Sequence, residues 1–396
     1  MRFIHFTDTH LGKNEAKLEQ REEDFCNVFA EVIDKCLSEK VDFVVHSGDV
    51  FDRARPNTKT IIFLVRQLNR LKEANIPIYT VPGSHDIAPD GTLLSVLDAV
   101  GLLVNLASSR YIRMENNKII LHGEKFRDVF LCGVAGRRDN IADAYSNLKV
   151  EGDGNYKIFV FHHITSDIAD KFADIPSSLL PQGFDYYAAG HWHGFAKLQH
   201  GKGILVYPGS TEYNELDEMI RDKHKYAMLV EFKDGKTIVK ELPLKTREIV
   251  FCEVNCDSTD AREVSDKTVA KIPKDKGGAI LIIKFRGRLG KGTKSEIDRN
   301  KINEFAIKNG YLYTKIYLGE LENPETPHVS TKARSASDIE KEYLKKQGYS
   351  EKEISIAERM ISLFGKKLNA SEFASAKDNA IKAIEGAIIE NKENDS

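Results

Sequence analysis

The strongest constraint in this sequence is where its acidic and imidazole side chains fall relative to its short apolar runs. Seven runs of strand length recur before residue 245: RFIHFTD, VDFVVHSGD, IPIYTVPG, VFLCGVAG, YKIFVFHH, DYYAAGHWH and GILVYPGS. Between some of them lie longer stretches with apolar residues three and four apart. Phe25, Val28, Phe29, Val32, Ile33 and Cys36 are one such stripe, the pattern of a helix lying on a sheet. This alternation predicts an α/β chain, with β-sheets flanked by helices. Five of the runs close on Asp or His: Asp8 with His10, Asp49 followed by Asp52, His85, His162 with His163, and His191 with His193. Residues two apart on an extended chain point to the same side, and open α/β sheets bind ligands beyond the carboxyl ends of their strands.

Taken singly, each residue has an ordinary explanation. A His at a strand end is more often hydrogen-bonded or solvated, and Gly-Asp after a strand is turn chemistry. Gathered at one edge they make a ligand set, and half of the chain's 12 His lie in these segments, which makes independent placement a poor account. Mixed carboxylate and imidazole shells suit Mn, Fe, Zn or Co better than Mg or Ca. The set is larger than one ion needs. Two ions about 3.5–4 Å apart, bridged by one carboxylate, would use it, clamp a phosphate and generate a hydroxide nucleophile. That is the chemistry of phosphoester hydrolysis.

The ordered motifs D-x-H, G-D-x-x-D, G-x-H-D and G-H-x-H resemble the calcineurin-like metallophosphoesterases. Within them, HFTDTHLG, GDVFDRARP, VPGSHD, GHWHG and YPGST are most similar to the double-strand-break-repair nucleases, the Mre-eleven and SbcD proteins. The likeness is close over the first 245 residues and extends loosely, in domain order, over the rest. It implies a layered α/β metallophosphoesterase core, with Asp8, His10 and His193 on a first ion, Asp49 bridging, and His162 and His191 on a second. Two divalent ions, with Mn foremost, are the implied cofactors. His162 is preferred to His163 because it directly follows the apolar run IFVF. His85 becomes the non-ligand catalytic residue, which stabilises phosphate charge or protonates the leaving oxygen, and Asp52 is suited to orient its imidazole. One position departs from the family. Ser84 stands where Asn usually supplies an amide oxygen to the second ion, so either that ion is held more weakly or Ser84 is only a turn residue.

Four segments organise the chain: residues 1–245 as nuclease domain, 246–322 as a smaller α+β cap, 323–336 as a polar linker and 337–391 as a helical segment. Lys and Arg number 58 against 60 Asp and Glu, so DNA binding would rest on local patches. Arg53, Arg55, Lys59, Arg137, Arg138 and the stretch Lys284 to Lys294 are candidates to position a phosphate backbone, or are ordinary surface charge. GRLGKGT does not meet the phosphate-loop pattern, so any ATPase would be a partner. Met360, Leu363 and Phe364 belong to a wide apolar face in the helical segment. The resemblance implies docking there to a coiled-coil ATPase of the Rad-fifty or SbcC type, against the alternative of packing on the chain's own helices; a homodimer is also implied. Five cysteines without a CxxC pair point to buried thiols in a reducing compartment. No signal-like start or long apolar run is present, and the expected location is the cytoplasm of an archaeal or bacterial cell, at the nucleoid, with no membrane. The leading expectation is an Mn-dependent exonuclease and endonuclease that processes DNA ends in double-strand-break repair. Its alternatives are a DNA-end-binding scaffold with weak cleavage and a phosphatase or phosphodiesterase of small substrates.

Overall fold

The computed structural model describes residues 1–324 except 137, 138 and 275, together with a discontinuous set between 341 and 357. Two six-stranded sheets dominate the first part of the chain. In one, Arg2–Phe6, Phe43–His46, Ile78–Thr80 and Val104–Asn105 run parallel, and Tyr226–Lys233 with Lys236–Pro243 joins antiparallel on the far side of Arg2–Phe6. In the other, Val129–Val134, Tyr156–Phe161, Tyr186–Ala189 and Gly203–Tyr207 are parallel, and antiparallel strands Glu124–Phe126 and Ala196–His200 close the edges.

The period-2 geometry of a strand explains how the layers stack. In Tyr156–Phe161, Ile158 and Val160 enter a core shared with Phe3, Phe43, Val45 and Tyr79 of the first sheet. Phe159 and Phe161 turn the other way, into a separate core with Phe184, Tyr187 and Tyr207. Both faces of each central strand are therefore buried, which is why these runs are apolar almost without interruption. Helices cover the outer face of the first sheet: α1 (Glu19–Ser38), α2 (Thr58–Glu73) and α3 (Leu93–Ala99). The stripe Phe25, Val28, Phe29, Val32, Ile33 and Cys36 is wholly buried there. Leu64, Leu68, Leu71, Leu94 and Leu97 also belong to that core, so they are packing residues of this chain.

The chain divides into two compact units. The first comprises residues 1–255, 263–286 and 298–320 and takes in most of a three-stranded sheet, Ile249–Asn255, Ile280–Arg288 and Tyr313–Glu322. A buried ionic cluster runs through this unit. Arg21, fully buried, donates to Asp24 at 2.6 Å, to Glu212 at 3.3 Å and to the Tyr213 carbonyl at 2.7 Å. Arg247 holds both oxygens of Asp24 at 2.5 and 2.6 Å. Charges out of water persist only when paired, and here Arg21 faces three carboxylates, with its Nε 3.7 Å from Glu15. The second unit comprises residues 256–262, 287–297 and 321–396. In it Ser350 and Glu353 form a capping box, the Glu353 carboxylate accepting from the Ser350 N–H at 2.7 Å and the Ser350 hydroxyl accepting from the Glu353 N–H at 3.3 Å. Arg137, Arg138, Met360, Leu363, Phe364 and most of 323–336 and 337–391 lie outside the described residues.

Candidate metal centre

Each parallel strand that ends at this edge must turn sharply, and the backbone records it. Asp8, His10, Asp49 and His191 all have positive φ, at 52°, 40°, 54° and 80°. Such conformations cost a non-glycine residue roughly 1–3 kcal/mol and survive where surrounding contacts over-determine them. The contacts are present. Asp8 N–H donates to the Gly48 carbonyl at 3.0 Å and His10 N–H to the Asp49 carbonyl at 3.1 Å. The Asp86 carboxylate accepts from Val50, Phe51 and Gly83 N–H groups at 3.1, 3.0 and 2.9 Å, splicing the Asp49 loop to the His85 loop. Glycines allow the close approach: a Cβ on Gly83 would lie 2.2 Å from both Asp49 N and Oδ1, and one on Gly48 2.6 Å from His162 Nδ1.

Three groups of donors result among the described residues, Asp8 with His10 and His193, Asp49 with His162 and His191, and His10 with Asp52 and His85; within each group the ligand atoms all lie within 4.8 Å of one another, and the first two are the candidate ion positions. Asp49 Oδ2 is 3.1 Å from His162 Nε2 and 4.0 Å from His10 Nε2, so it reaches both groups. Asp8 Oδ1 is 3.6 Å from His193 Nε2 and 3.9 Å from both His10 and His162 Nε2. His162 Nδ1–H donates to the Ser47 carbonyl at 2.7 Å, which directs Nε2 at the carboxylates as the nitrogen that would ligate once a metal displaces its proton. That nitrogen is buried and has no hydrogen-bond partner. His163 turns away, its Nδ1 3.0 Å from the Tyr145 hydroxyl.

The electrostatics are those of a site built for cations. Burial would raise Asp8 and Asp49, but the imidazoles around them together outweigh it, His162 and His193 at Asp8 and His162 with His10 at Asp49, and hold both carboxyls well below their usual range. Burial would lower His162, yet Asp49 and Asp8 push it up to about 9. His193 likewise rises to about 10 against burial, through Asp8 and Glu218. His10 falls to about 3 through burial and the neighbouring His193, which leaves it neutral and able to ligate. Two buried carboxylates facing four imidazoles, one with an orphaned Nε2, fit a pair of divalent ions.

His85 lies beside the first group. Its backbone N–H donates to Asp49 Oδ1 at 2.7 Å, and its ring Nδ1 is 2.7 Å from the Asp52 main-chain carbonyl. The sequence expects the Asp52 carboxylate to orient this ring; the Nδ1 contact is with the carbonyl of the same residue. The carboxylate stays within 4.8 Å of the His85 and His10 ring nitrogens and also approaches cations, Lys13 at 3.5 Å and Arg53 at 3.7 Å. Of the candidate DNA contacts, Arg53 is 85% exposed in its side chain, Arg55 pairs with Asp90 at 3.0 Å and Lys59 with Glu19 at 2.9 Å. In the stretch Lys284 to Lys294, Lys284, Arg286 and Arg288 face Glu320, Glu253 and Glu322. Their charge is largely neutralised locally. Two carboxylates escaped the sequence reading as site residues. Asp86 stood in view inside the G-x-H-D motif, whereas Glu218, which accepts from His193 Nδ1–H at 2.6 Å, carries no local signal.

Comparison with known proteins agrees with this geometry. Residues 1–195 match the calcineurin-like phosphoesterase family. The DNA double-strand break repair protein Mre11 of Methanococcus maripaludis is 32% identical over 226 residues, 55% of this chain and 59% of that protein. Its namesake in Sulfolobus acidocaldarius is 26% identical over 377 residues, 90% of this chain and 93% of that protein. That of Methanocaldococcus jannaschii is 27% identical over 367 residues, 88% and 91% of the two chains. The chain thus spans 59% of the first of these relatives and most of the other two. All the strand-end Asp and His residues of the centre fall inside the matched segment, and residues 1–195 are a calcineurin-like metallophosphoesterase domain.

Proposed function

We propose that this chain is an Mn-dependent DNA nuclease that trims and cuts broken DNA ends in company with a coiled-coil ATPase of the Rad-fifty or SbcC type. The observation that carries the reading is the pair of carboxylate–imidazole groups joined by Asp49, with His85 beside them. Asp8, His10, His193 and Asp49 would hold one ion and Asp49, His162 and His191 the other; bound there, the ions supply phosphate-binding charge and an activated water. His85 works from outside the shells. With Nδ1–H committed to the Asp52 carbonyl, Nε2 is the atom left to meet a phosphate oxygen or give a proton to the leaving oxygen. A cleft of about 400 Å³ adjoins this loop, lined by Lys17, Arg53 and Arg55 with the acids Glu22 and Asp52, and would take a phosphate backbone along its basic side. The name of the relatives favours DNA over a small phosphoester.

The deciding experiment is cleavage of linear and single-stranded DNA with Mn²⁺, Mg²⁺ or chelator, wild type against His85→Ala. The expected outcome is Mn-dependent cutting that falls at least ~10²-fold in the variant with metal content unchanged; loss of metal from the variant would refute its non-ligand role. Ser84 favours the second reading, a DNA-end-binding scaffold, because a hydroxyl is a weaker neutral ligand than an amide oxygen. Ends bound without any cutting by wild type would put the scaffold first, and identical metal titrations of wild type and Ser84→Asn would remove Ser84 from the account. Residues 246–322 would act as the cap. Met360, Leu363 and Phe364 would dock the ATPase: changing them to polar residues should abolish its co-purification and spare cutting. Ile62 on α2, Val96 on α3 and Val100 just past its end, exposed by 46%, 57% and 59%, support a homodimer through those helices.

A further inference from the structure

Glu218 sits in the short helix Leu216–Arg221, 25 residues from His193 in sequence and outside every motif of the metal centre. It is 3% exposed. Its two oxygens have different company. Oε2 accepts from the Ser210 hydroxyl at 2.5 Å, from Lys225 Nζ at 2.7 Å and from the Asn214 N–H at 3.3 Å. Oε1 is given to His193 Nδ1 at 2.6 Å. Asn214 Nδ2 also approaches that nitrogen, but at 3.5 Å, so the short charged contact decides which group Nδ1 serves. It carries the proton and donates it to Glu218.

Lys225 completes the arrangement. It is 2% exposed, and besides Glu218 its ammonium donates to Asp222 at 2.9 Å and to the His193 main-chain carbonyl at 3.1 Å. One buried cation thus grips both the backbone of His193 and the carboxylate that grips its ring. Removing Lys225 would leave Glu218 and Asp222 without the cation they share, in a dry site.

We propose that Glu218 and Lys225 are positioning residues for His193, fixing its tautomer and ring so that Nε2 is presented to the first metal position. The inference rests on the two-metal reading above and adds to it an asymmetry: only one of the two ions depends on this pair. A carboxylate behind a metal-bound imidazole also makes the ring a better donor, and loss of such a partner typically weakens metal binding about 10–100-fold.

The test is calorimetric titration of the chelator-treated full-length chain with Mn²⁺ alone, without DNA, for wild type, Glu218→Gln, Glu218→Ala and Lys225→Met. Circular dichroism and thermal melts of the metal-free proteins accompany it. Wild type should bind in two steps. Glu218→Ala and Lys225→Met should weaken one step by ~10–100-fold and leave the other, and Glu218→Gln, which keeps an acceptor but no charge, should fall between. Should Glu218→Ala fail to fold, the isosteric Gln variant carries the result. Unchanged steps in a folded Gln variant, or equal weakening of both steps, would overturn the proposal. A wild type that binds no Mn²⁺ would overturn the two-metal reading beneath it, a distinct outcome.

Discussion

At Gly83 the chain has no room for a methyl group, and that single fact ties turn geometry to chemistry. The added carbon would sit 2.2 Å from the Asp49 backbone nitrogen and from Oδ1, the oxygen that receives His85 N–H. Because Oδ1 is held by that bond and the nitrogen is backbone, Gly83→Ala must displace the Asp49 loop. We expect Mn²⁺ affinity to drop in titration and cleavage to fall by roughly 10²-fold or more, since misplacement by about 1 Å costs that much; wild-type activity in the variant would contradict this. The residues of the centre were legible in the sequence because their signals are local: a strand, a Gly, then Asp or His. Glu218 was not, since nothing within a few residues marks it and its partner is 25 positions away. Asp52 was legible as a residue but not as an atom, because backbone and carboxylate compete for His85 and only the cations Lys13 and Arg53 decide between them.

The elements around the centre obey simple rules of their own. Helix α2 begins at Asn57, whose side chain accepts from the Thr60 N–H at 2.9 Å and the Thr60 hydroxyl at 3.0 Å. Asn57→Ala should cost about 1 kcal/mol, read as a melting temperature lower by about 2–4 °C for a domain of this size. A shift of zero would mean that water replaces the cap without loss. The hairpin of Tyr226–Lys233 and Lys236–Pro243 was foreseeable from Asp234-Gly235, both of which adopt positive φ, 51° and 71°, as a tight two-residue turn demands. Sheet membership was not foreseeable. Strands buried on both faces read alike, so nothing in YKIFVFHH or VDFVVHSGD says which of the two sheets it joins, and pairing of Arg2–Phe6 with Tyr226–Lys233 spans most of the domain.

Across the whole first unit, the buried cluster of Arg21, Asp24, Glu212 and Arg247 sets a pH dependence. Burial lifts Glu212 from 4.5 to about 7, with Arg21 opposing. A carboxyl raised in this way binds its proton more tightly folded than unfolded. Its contribution to stability is complete below 4.5 and is lost as pH rises through about 7. Glu212→Gln cannot ionise and should therefore lose less stability than wild type between about pH 5 and about pH 8, by on the order of 1–3 kcal/mol; parallel denaturation midpoints at both pH values would sink the prediction. The two-sheet origin of the metal centre has a consequence in time. Asp8, His10 and Asp49 belong to the first sheet and His162, His191 and His193 to the second, and His162 closes on Ser47 across 115 residues. The Met1 ammonium waits longer, for the carbonyl of Phe232, 231 residues on. At about 5–20 residues per second, a ribosome needs roughly ten seconds or more to deliver that partner. Before residues 162–193 are made, Asp8 and Asp49 lack the imidazoles of the second sheet, and until Tyr226–Lys233 arrives Arg2–Phe6 has a bare edge. A chain stalled before His193 would therefore hold only part of the donor set, with the carboxylates of the first sheet made and the imidazoles of the second still missing.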